Sequence, residues 1–409
     1  MTSGWNNWIW DAGRRGRAIG LAGVSLIALV ASAPAVSAET LREALAAAYQ
    51  SNPKLDAERA RLRATDEEVP RAESGYRPKV TGTADAGKQT LTTRPSTSSS
   101  GSTSPYGYQV SVKQPVFNGF RTVNSVAQAE AGVRAGRETL RQVEITTLLE
   151  AASAYAAVVR DQALLQMRER MVVVLSKDLE AAETRRQVRE VTRTDVAQAR
   201  ARRAKAVSAA DLAKANLKVS RATFTRVVGH APSALSDPAL KLKQLPHSLE
   251  EALSIAEQDS PNLAGALYRE EAARHAVDVV RGEMLPEVHI EASYGRQYEG
   301  AAYLAEQETA SVTGRVTVPF YEGGEVQARV RQAKHTHVSR LQEIEQFRSE
   351  TQANVTAAWS RMIAARAQLQ SDGVQVDANR VALEGVREEE KVGQRTLLDV
   401  LNAEREYLD

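Results

Sequence analysis

Apolar and polar positions follow two periods along this chain, and the change of period divides it into elements. Val196, Ala199, Arg203, Ala206, Ala210, Ala213, Leu217, Ser220 and Phe224 are separated by alternating steps of three and four. That is a heptad seam, and its alanines let neighbouring helices approach closely. Leu148, Ala152, Tyr155 and Val159 carry the same spacing upstream. Proline is absent between Phe117 and Ala231, and glycine is confined to Gly119, Gly132, Gly136 and Gly229. The spacing predicts one helix over 120–187, about 100 Å long at 1.5 Å per residue. A turn near 189–193 and a second long helix follow. Taken alone, this pattern is that of an antiparallel coiled-coil hairpin.

A period of two appears elsewhere. Tyr106–Val112, Val288–Tyr294 and Val312–Val318 alternate cleanly, and Val80–Ala86 alternates more weakly with small residues. These read as two hairpins with polar tips, Thr92–Ser104 and Glu299–Thr309. Tyr76, Tyr106, Tyr108, Phe117, Phe120, Tyr294, Tyr298, Tyr303, Phe320 and Tyr321, ten of the 16 Tyr and Phe residues, gather around them. Such clustering suits the aromatic girdles of a membrane barrel; a soluble sheet using aromatics for its core is the alternative. Four strands cannot close a barrel, which needs about eight or more. An oligomer must close it, and three copies would supply twelve strands.

The chain is also written twice. Thr40-Leu41-Arg42-Glu43-Ala44-Leu45 recurs as Ser248-Leu249-Glu250-Glu251-Ala252-Leu253, and Pro53-Lys54-Leu55 as Pro261-Asn262-Leu263. Pro115-Val116-Phe117-Asn118-Gly119 matches Pro319-Phe320-Tyr321-Glu322-Gly323, Tyr155 matches Trp359, and Asp195-Val196 matches Asp399-Val400. The expected organisation is a leader over 1–38, a first repeat over 39–228, a linker over 229–247 marked by Pro232, Pro238 and Pro246, and a second repeat over 248–409. By symmetry with the first copy, roughly 20 or more residues of a final helix are expected beyond Asp409, so the second repeat reads as truncated.

Charge and composition narrow the functional classes. Lys and Arg number 53 against 51 Asp and Glu, a formal net charge of +2, which is not the footprint of a nucleic-acid binder. Cysteine is absent, which excludes disulfides, thiol catalysis and cysteine-ligated metal. The basic cluster Arg14-Arg15-Gly16-Arg17, the apolar run Leu21–Val30 and the small residues Val36-Ser37-Ala38 read as a secretory signal cleaved after Ala38. An uncleaved inner-membrane anchor is the alternative, for which the apolar run is short. No later apolar run could span a membrane as a helix, so membrane entry would be through β-strands.

Three motifs complete the reading: Leu249-Glu250-Glu251-Ala252-Leu253 followed by Asn262-Leu263, Val318-Pro319-Phe320-Tyr321-Glu322-Gly323-Gly324, and Gly393-Gln394-Arg395-Thr396-Leu397-Leu398-Asp399-Val400-Leu401-Asn402-Ala403-Glu404. With these, the chain resembles the TolC family of outer-membrane efflux and type I secretion channels over nearly all of its mature length. The resemblance implies a mainly α fold with membrane β-structure. A homotrimer would form a twelve-stranded outer-membrane barrel above an α-helical periplasmic tunnel. It further implies contact with outer-membrane lipid, a periplasmic adaptor and an inner-membrane transporter that supplies the energy. The competing class is a secreted periplasmic coiled-coil adaptor or scaffold with a small β-domain, which would explain the helices but not two aromatic-rich hairpins.

Gly393 falls where the second long helix must reverse, and its repeat mate is Arg189, so the two turns are expected to differ. Asp399 matches a family position that forms an acidic ring in the tunnel's constriction, with Asp195 as its repeat mate. Three such carboxylates around an axis would concentrate cations, favour proton uptake and give cation selectivity with divalent block. The second acidic position of that ring is Asn402 here. Arg395 matches an arginine that holds the closed entrance, and the tyrosine of that network is Glu390, so an Arg395–Glu390 ion pair is expected. Thr396–Asp399 and Thr192–Asp195 also have the form of capping boxes.

His335 and His337 lie two apart on a helix, where side chains diverge, and read as a solvated face. The remaining histidines are scattered without metal-ligand spacing. No phosphate-binding loop or Gly-x-Ser-x-Gly turn occurs, and no catalytic constellation or cofactor is expected. The charge run Glu388-Glu389-Glu390-Lys391 is expected on outward surfaces near the tip.

Overall fold

Thr40 opens the first helix with a reciprocal capping box, accepting from Glu43 N while the Glu43 carboxylate accepts from Thr40 N. The computed structural model describes residues 38–92, 101–237, 245–301 and 304–408. The predicted leader over 1–37, the Thr92–Ser104 tip over 93–100, the linker over 238–244 with Pro238, and Tyr303 lie outside the described residues. Helices α1 (Leu41–Ser51), α2 (Pro53–Asp66) and α3 (Glu68–Glu73) lead into strand β1 (Lys79–Ala86). Asn52 caps α2, and Pro53 takes the first helical position, where a missing N–H leaves nothing unpaired. A short ladder of β2 (Gln89–Leu91) and β3 (Gly101–Thr103) precedes β4 (Tyr106–Asn118), which returns antiparallel to β1. Helix α4 (Arg121–Gln187) then runs for 67 residues and reverses into α5 (Arg193–Val228).

The second half repeats the order. Ser248 caps α6 (Leu249–Asp259), Ser260 caps α7 (Pro261–Arg281), and β5 (Glu287–Ala301) and β6 (Leu304–Thr317) form a hairpin. Helix α8 (Glu325–Lys391) again has 67 residues and turns into α9 (Leu397–Leu408). The duplicated unit of long helices plus hairpins is therefore present, to equal length in its two longest helices. None of the described helices is long and apolar enough to cross a membrane.

One sheet unites the halves, in the order β1-β4-β5-β6, antiparallel throughout. Its β1 and β6 edges have no partner among the described residues. Helix packing forms separate clusters along the rods rather than one core. The largest joins Ala44 and Ala48 of α1, Ala151, Ala154, Tyr155 and Val158 of α4, and Leu217, Phe224, Val227 and Val228 of α5. The α5 seam follows the predicted heptad except at exposed Arg203 and half-buried Ala210. On α4 the buried stripe is Thr147, Ala151, Ala154, Tyr155 and Val158, shifted by about one residue from the predicted line. The shift follows from α4 packing against α1, α2 and α7 as well as α5, so its buried face lies between two seams.

Strand passes to helix through a left-handed pair in both halves, Gly119 and Phe120 (φ 65° and 61°) and Gly323 and Gly324 (φ 64° and 86°). Gly119 also touches the second half, since a Cβ there would stand 2.1 Å from Gly282 O.

Candidate channel lining and gate

Successive side chains of a strand point to opposite faces, and the register sorts this sheet into two unlike surfaces. One face carries the rows Val80–Val112–Ala292–Val312 and Gly82–Val110–Tyr294–Ala310, with Ile290 and Val316 below them. Among the described residues nothing covers it: Val312 is 78% exposed and Val80 67%. The other face carries Thr81–Ser111–Ser293–Ser311 and Lys79–Lys113–Glu291–Thr313. Ser293 and Ser311 are hydrogen-bonded at 2.9 Å. A soluble sheet buries its apolar face against protein; this one leaves a continuous apolar band open, which needs a non-aqueous surrounding. Above the band Tyr106 and Tyr298 stack at 4.9 Å, and Arg296 pairs with Glu308 at 2.9 Å and Glu306 at 3.5 Å. Below it stand Phe320 and Tyr321, 93% and 85% exposed. Aromatic residues thus bound the apolar band at both ends, joined by charged ones at the upper end.

The far ends of the rods hold the second candidate region. Gly393 is left-handed (φ 79°), and so is Arg189 (φ 62°). In one turn Arg189 N donates to Arg186 O and Glu190 N to Arg185 O; in the other Gly393 N donates to Glu390 O and Gln394 N to Glu389 O. The expected difference between the turns is absent. The same pair of bonds closes each helix end, and Arg189 accepts the left-handed strain that glycine avoids.

Asp399 and Asp195 are both half-buried and both cap. Asp399 Oδ2 accepts from Thr396 N at 3.0 Å, and Asp195 Oδ2 accepts from Thr192 N at 2.9 Å. Each aspartate N–H donates back to the threonine hydroxyl. The backbone N–H and hydroxyl of that threonine hold each carboxyl below the usual range. The expected Arg395–Glu390 pair does not form. Arg395 Nε instead lies 2.8 Å from Glu389, within its own turn, and Glu390 pairs with Arg185 of α4 at 3.1 Å. One turn of α8 points successive glutamates in different directions, so Glu389 faces the turn and Glu390 faces the first repeat. Within the run 388–391, Glu388 and Lys391 lie exposed on the surface as expected and pair with each other, while Glu389 and Glu390 are half-buried in the pairs just given. Asn402 Oδ1 accepts from Arg202 of α5 at 3.1 Å, a second tie between the repeats.

These features coincide with known proteins. The family described as outer membrane efflux protein matches residues 44–230 and 252–409. The chain belongs to that family. It is 36% identical over 390 residues to the outer membrane efflux protein BepC of Brucella suis biovar 1 (strain 1330), covering 95% of this chain and 84% of that protein. It is 29% identical over 226 residues to the alkaline protease secretion protein AprF of Pseudomonas aeruginosa, 52% of this chain and 46% of that one. The crystal structure of the outer membrane protein VceC from Vibrio cholerae superposes with a TM-score of 0.77 at 18% identity, over 90% of each chain. CusC superposes with a TM-score of 0.78 at 14% identity, over 91% of this chain and 86% of that one. This outer-membrane efflux protein is therefore an outer-membrane channel component.

Two groups escaped the sequence reading. Glu404 of α9 is buried, with Oε1 bonded to Arg387 of α8, and the half-buried Asp178 of α4 lies beside it. Burial first, then the Glu404 charge, push the Asp178 carboxyl up to about 6, against the opposing Arg387 guanidinium. The signal was available: Glu404 follows the buried Val400 and Leu401 by four and three residues, which places a carboxylate on the apolar face of α9. His337 was the other. It is not solvated, because its Nε2 lies 2.6 Å from Glu270 of α7 while His335 stays exposed. Among the described residues, no three His, Asp or Glu converge as a metal site.

Proposed function

We propose that three copies of this chain, exported by the leader over 1–38, close one twelve-stranded barrel and one helical tunnel. Edge β1 of each protomer would pair with β6 of the next, and the assembly would serve as the passive exit duct of a tripartite system. A periplasmic adaptor and an inner-membrane transporter would complete the path, and the transporter would supply energy and choose cargo. Relatives include a protein named for efflux and one named for protease secretion, and the same duct suits either. The observation that carries this reading is the two-faced, open-edged sheet continuous with two 67-residue helices. A lone four-stranded sheet with this apolar face has no stable place in water, and a coiled-coil scaffold would not need one.

Within the duct, Asp399 and Asp195 are the acidic gate. Gly393 forms the tip turn, Arg395 braces that turn, and Glu390 and Asn402 tie the closed tips through Arg185 and Arg202. Capping and gating are compatible, since a capping carboxylate keeps its charge. Planar-bilayer recording of trimer purified from the outer membrane tests this. A small, cation-selective conductance reduced by divalent cations from the periplasmic side is the expected result. A protein that fractionates as soluble and conducts nothing would return the reading to a coiled-coil scaffold.

A further inference from the structure

We infer that the α-ammonium released when the leader is cut after Ala38 docks on the Ala234 carbonyl, so that Glu39, as the new N-terminal residue, pins the junction between the repeats. The inference rests on the outer-membrane location and goes beyond the channel reading.

The side before the cut has the small residues Val36, Ser37 and Ala38 that leader processing requires, and Ala38 is exposed. The side after it is a built socket. Glu39 N lies 2.7 Å from Ala234 O, and Ser236 N donates back to Glu39 O at 3.0 Å. The hydroxyl of Tyr155, a fully buried member of the largest core cluster, lies 2.8 Å from Glu39 O. The Glu39 side chain is only 11% exposed, with His230 Nε2 at 3.4 Å and Ser233 Oγ at 3.3 Å. Residue 39 is thus held at its nitrogen, carbonyl and carboxylate by α4 and by the segment following α5.

Hydrolysis adds water across the Ala38–Glu39 bond. The hydroxyl goes to the Ala38 carbonyl carbon and the proton to Glu39 N, which becomes an ammonium near neutral pH. The nitrogen keeps its direction toward Ala234 O, and a charged donor makes the stronger hydrogen bond. Register is strict. A cut one residue later would remove every one of these bonds, and a cut two later would remove the Thr40 cap of α1 as well.

The test uses full-length protein recovered from the outer membrane. Its N-terminal peptide is identified by mass spectrometry, and acylation of the α-amine by an N-hydroxysuccinimide ester near pH 7 is compared in folded and urea-unfolded protein. A chain starting at Glu39 whose amine reacts at least tenfold more slowly when folded is the expected outcome. A Gly-Ser insertion between Ala38 and Glu39, which leaves the fold's own residues intact, should restore the unfolded rate. Outer-membrane protein with a different first residue, or a Glu39 amine labelled at the unfolded rate, overturns the inference while leaving the channel reading untouched. Uncut chain found outside the outer membrane would instead count against the location on which both depend.

Discussion

The guanidinium of Arg185 meets the carboxylate of Glu390 at 3.1 Å, joining the end of α4 to the end of α8 across 205 residues of sequence. A further tie between the tips of the repeats joins Arg202 to Asn402. Both partners of the ion pair are partly exposed, which puts its strength at roughly 0.2–1 kcal/mol per protomer. Loss of that much shifts the closed-to-open ratio of each protomer's tip by up to about fivefold. Arg185→Ala and Glu390→Gln should each raise the conducting fraction in single-channel records. The swap Arg185→Glu with Glu390→Arg should return it toward the parent value, and failure of the swap would remove the pair from the gate.

Asp399 should dominate ion selectivity, and Asn402 should limit its strength. Asp399→Ala is expected to lower cation preference, measured as reversal potential in a salt gradient, and to relieve divalent block. The Thr396 bonds hold the Asp399 carboxyl low, so its stabilising contribution persists at neutral pH and disappears only as acid protonates the folded state. Block should therefore survive mild acidification.

Asn402→Asp alone should tighten block little, because Arg202 stands beside the new carboxylate. Combined with Arg202→Ala, the three charges added in a trimer, partly screened, should tighten divalent binding by about tenfold. Titration of block by divalent cations in the two variants distinguishes these effects.

Asp178 makes the opposite pH prediction. Its folded carboxyl is raised to about 6 from 3.8, so between those values the folded protein holds the proton more tightly than the unfolded chain. Stability falls as pH rises through that window. Thermal melting should drop from about pH 4 to pH 7, and Asp178→Asn should flatten the profile. An unchanged profile in the variant would assign the slope to other groups.

The tips and the sheet junction give contrasting glycine substitutions. Arg189→Gly should stabilise by about 1 kcal/mol by relieving a left-handed residue, and Gly393→Ala should destabilise by about the same amount. Gly119→Ala should be far more damaging, because its Cβ would meet backbone at Gly282 O. Trimer melting temperature reads all three.

Periodicity made much of this molecule legible. The steps of three and four at Val196–Phe224 and the alternation of Val288–Tyr294 have local causes, and both elements formed as expected. The Thr396–Asp399 and Thr192–Asp195 boxes were legible for the same reason, since partner and cap lie three residues apart. The Arg185–Glu390 pair was not, because it depends on how two distant helix ends dock. Glu389 and Glu390 are indistinguishable to a reader of sequence, yet they face different neighbours. The identical tip turns were hidden because hydrogen bonds impose a conformation that Arg189 would not choose.

The row Thr81–Ser111–Ser293–Ser311 has a further consequence for traffic. In the proposed trimer it becomes a collar of hydroxyls, each able to give or take a hydrogen bond and none carrying charge. A cationic drug, an anionic one and an unfolded polypeptide would glide past it on equal terms. Sorting would then be left to the narrow acidic end, and a change of a few tip residues could alter what leaves the cell without disturbing the wall through which it leaves.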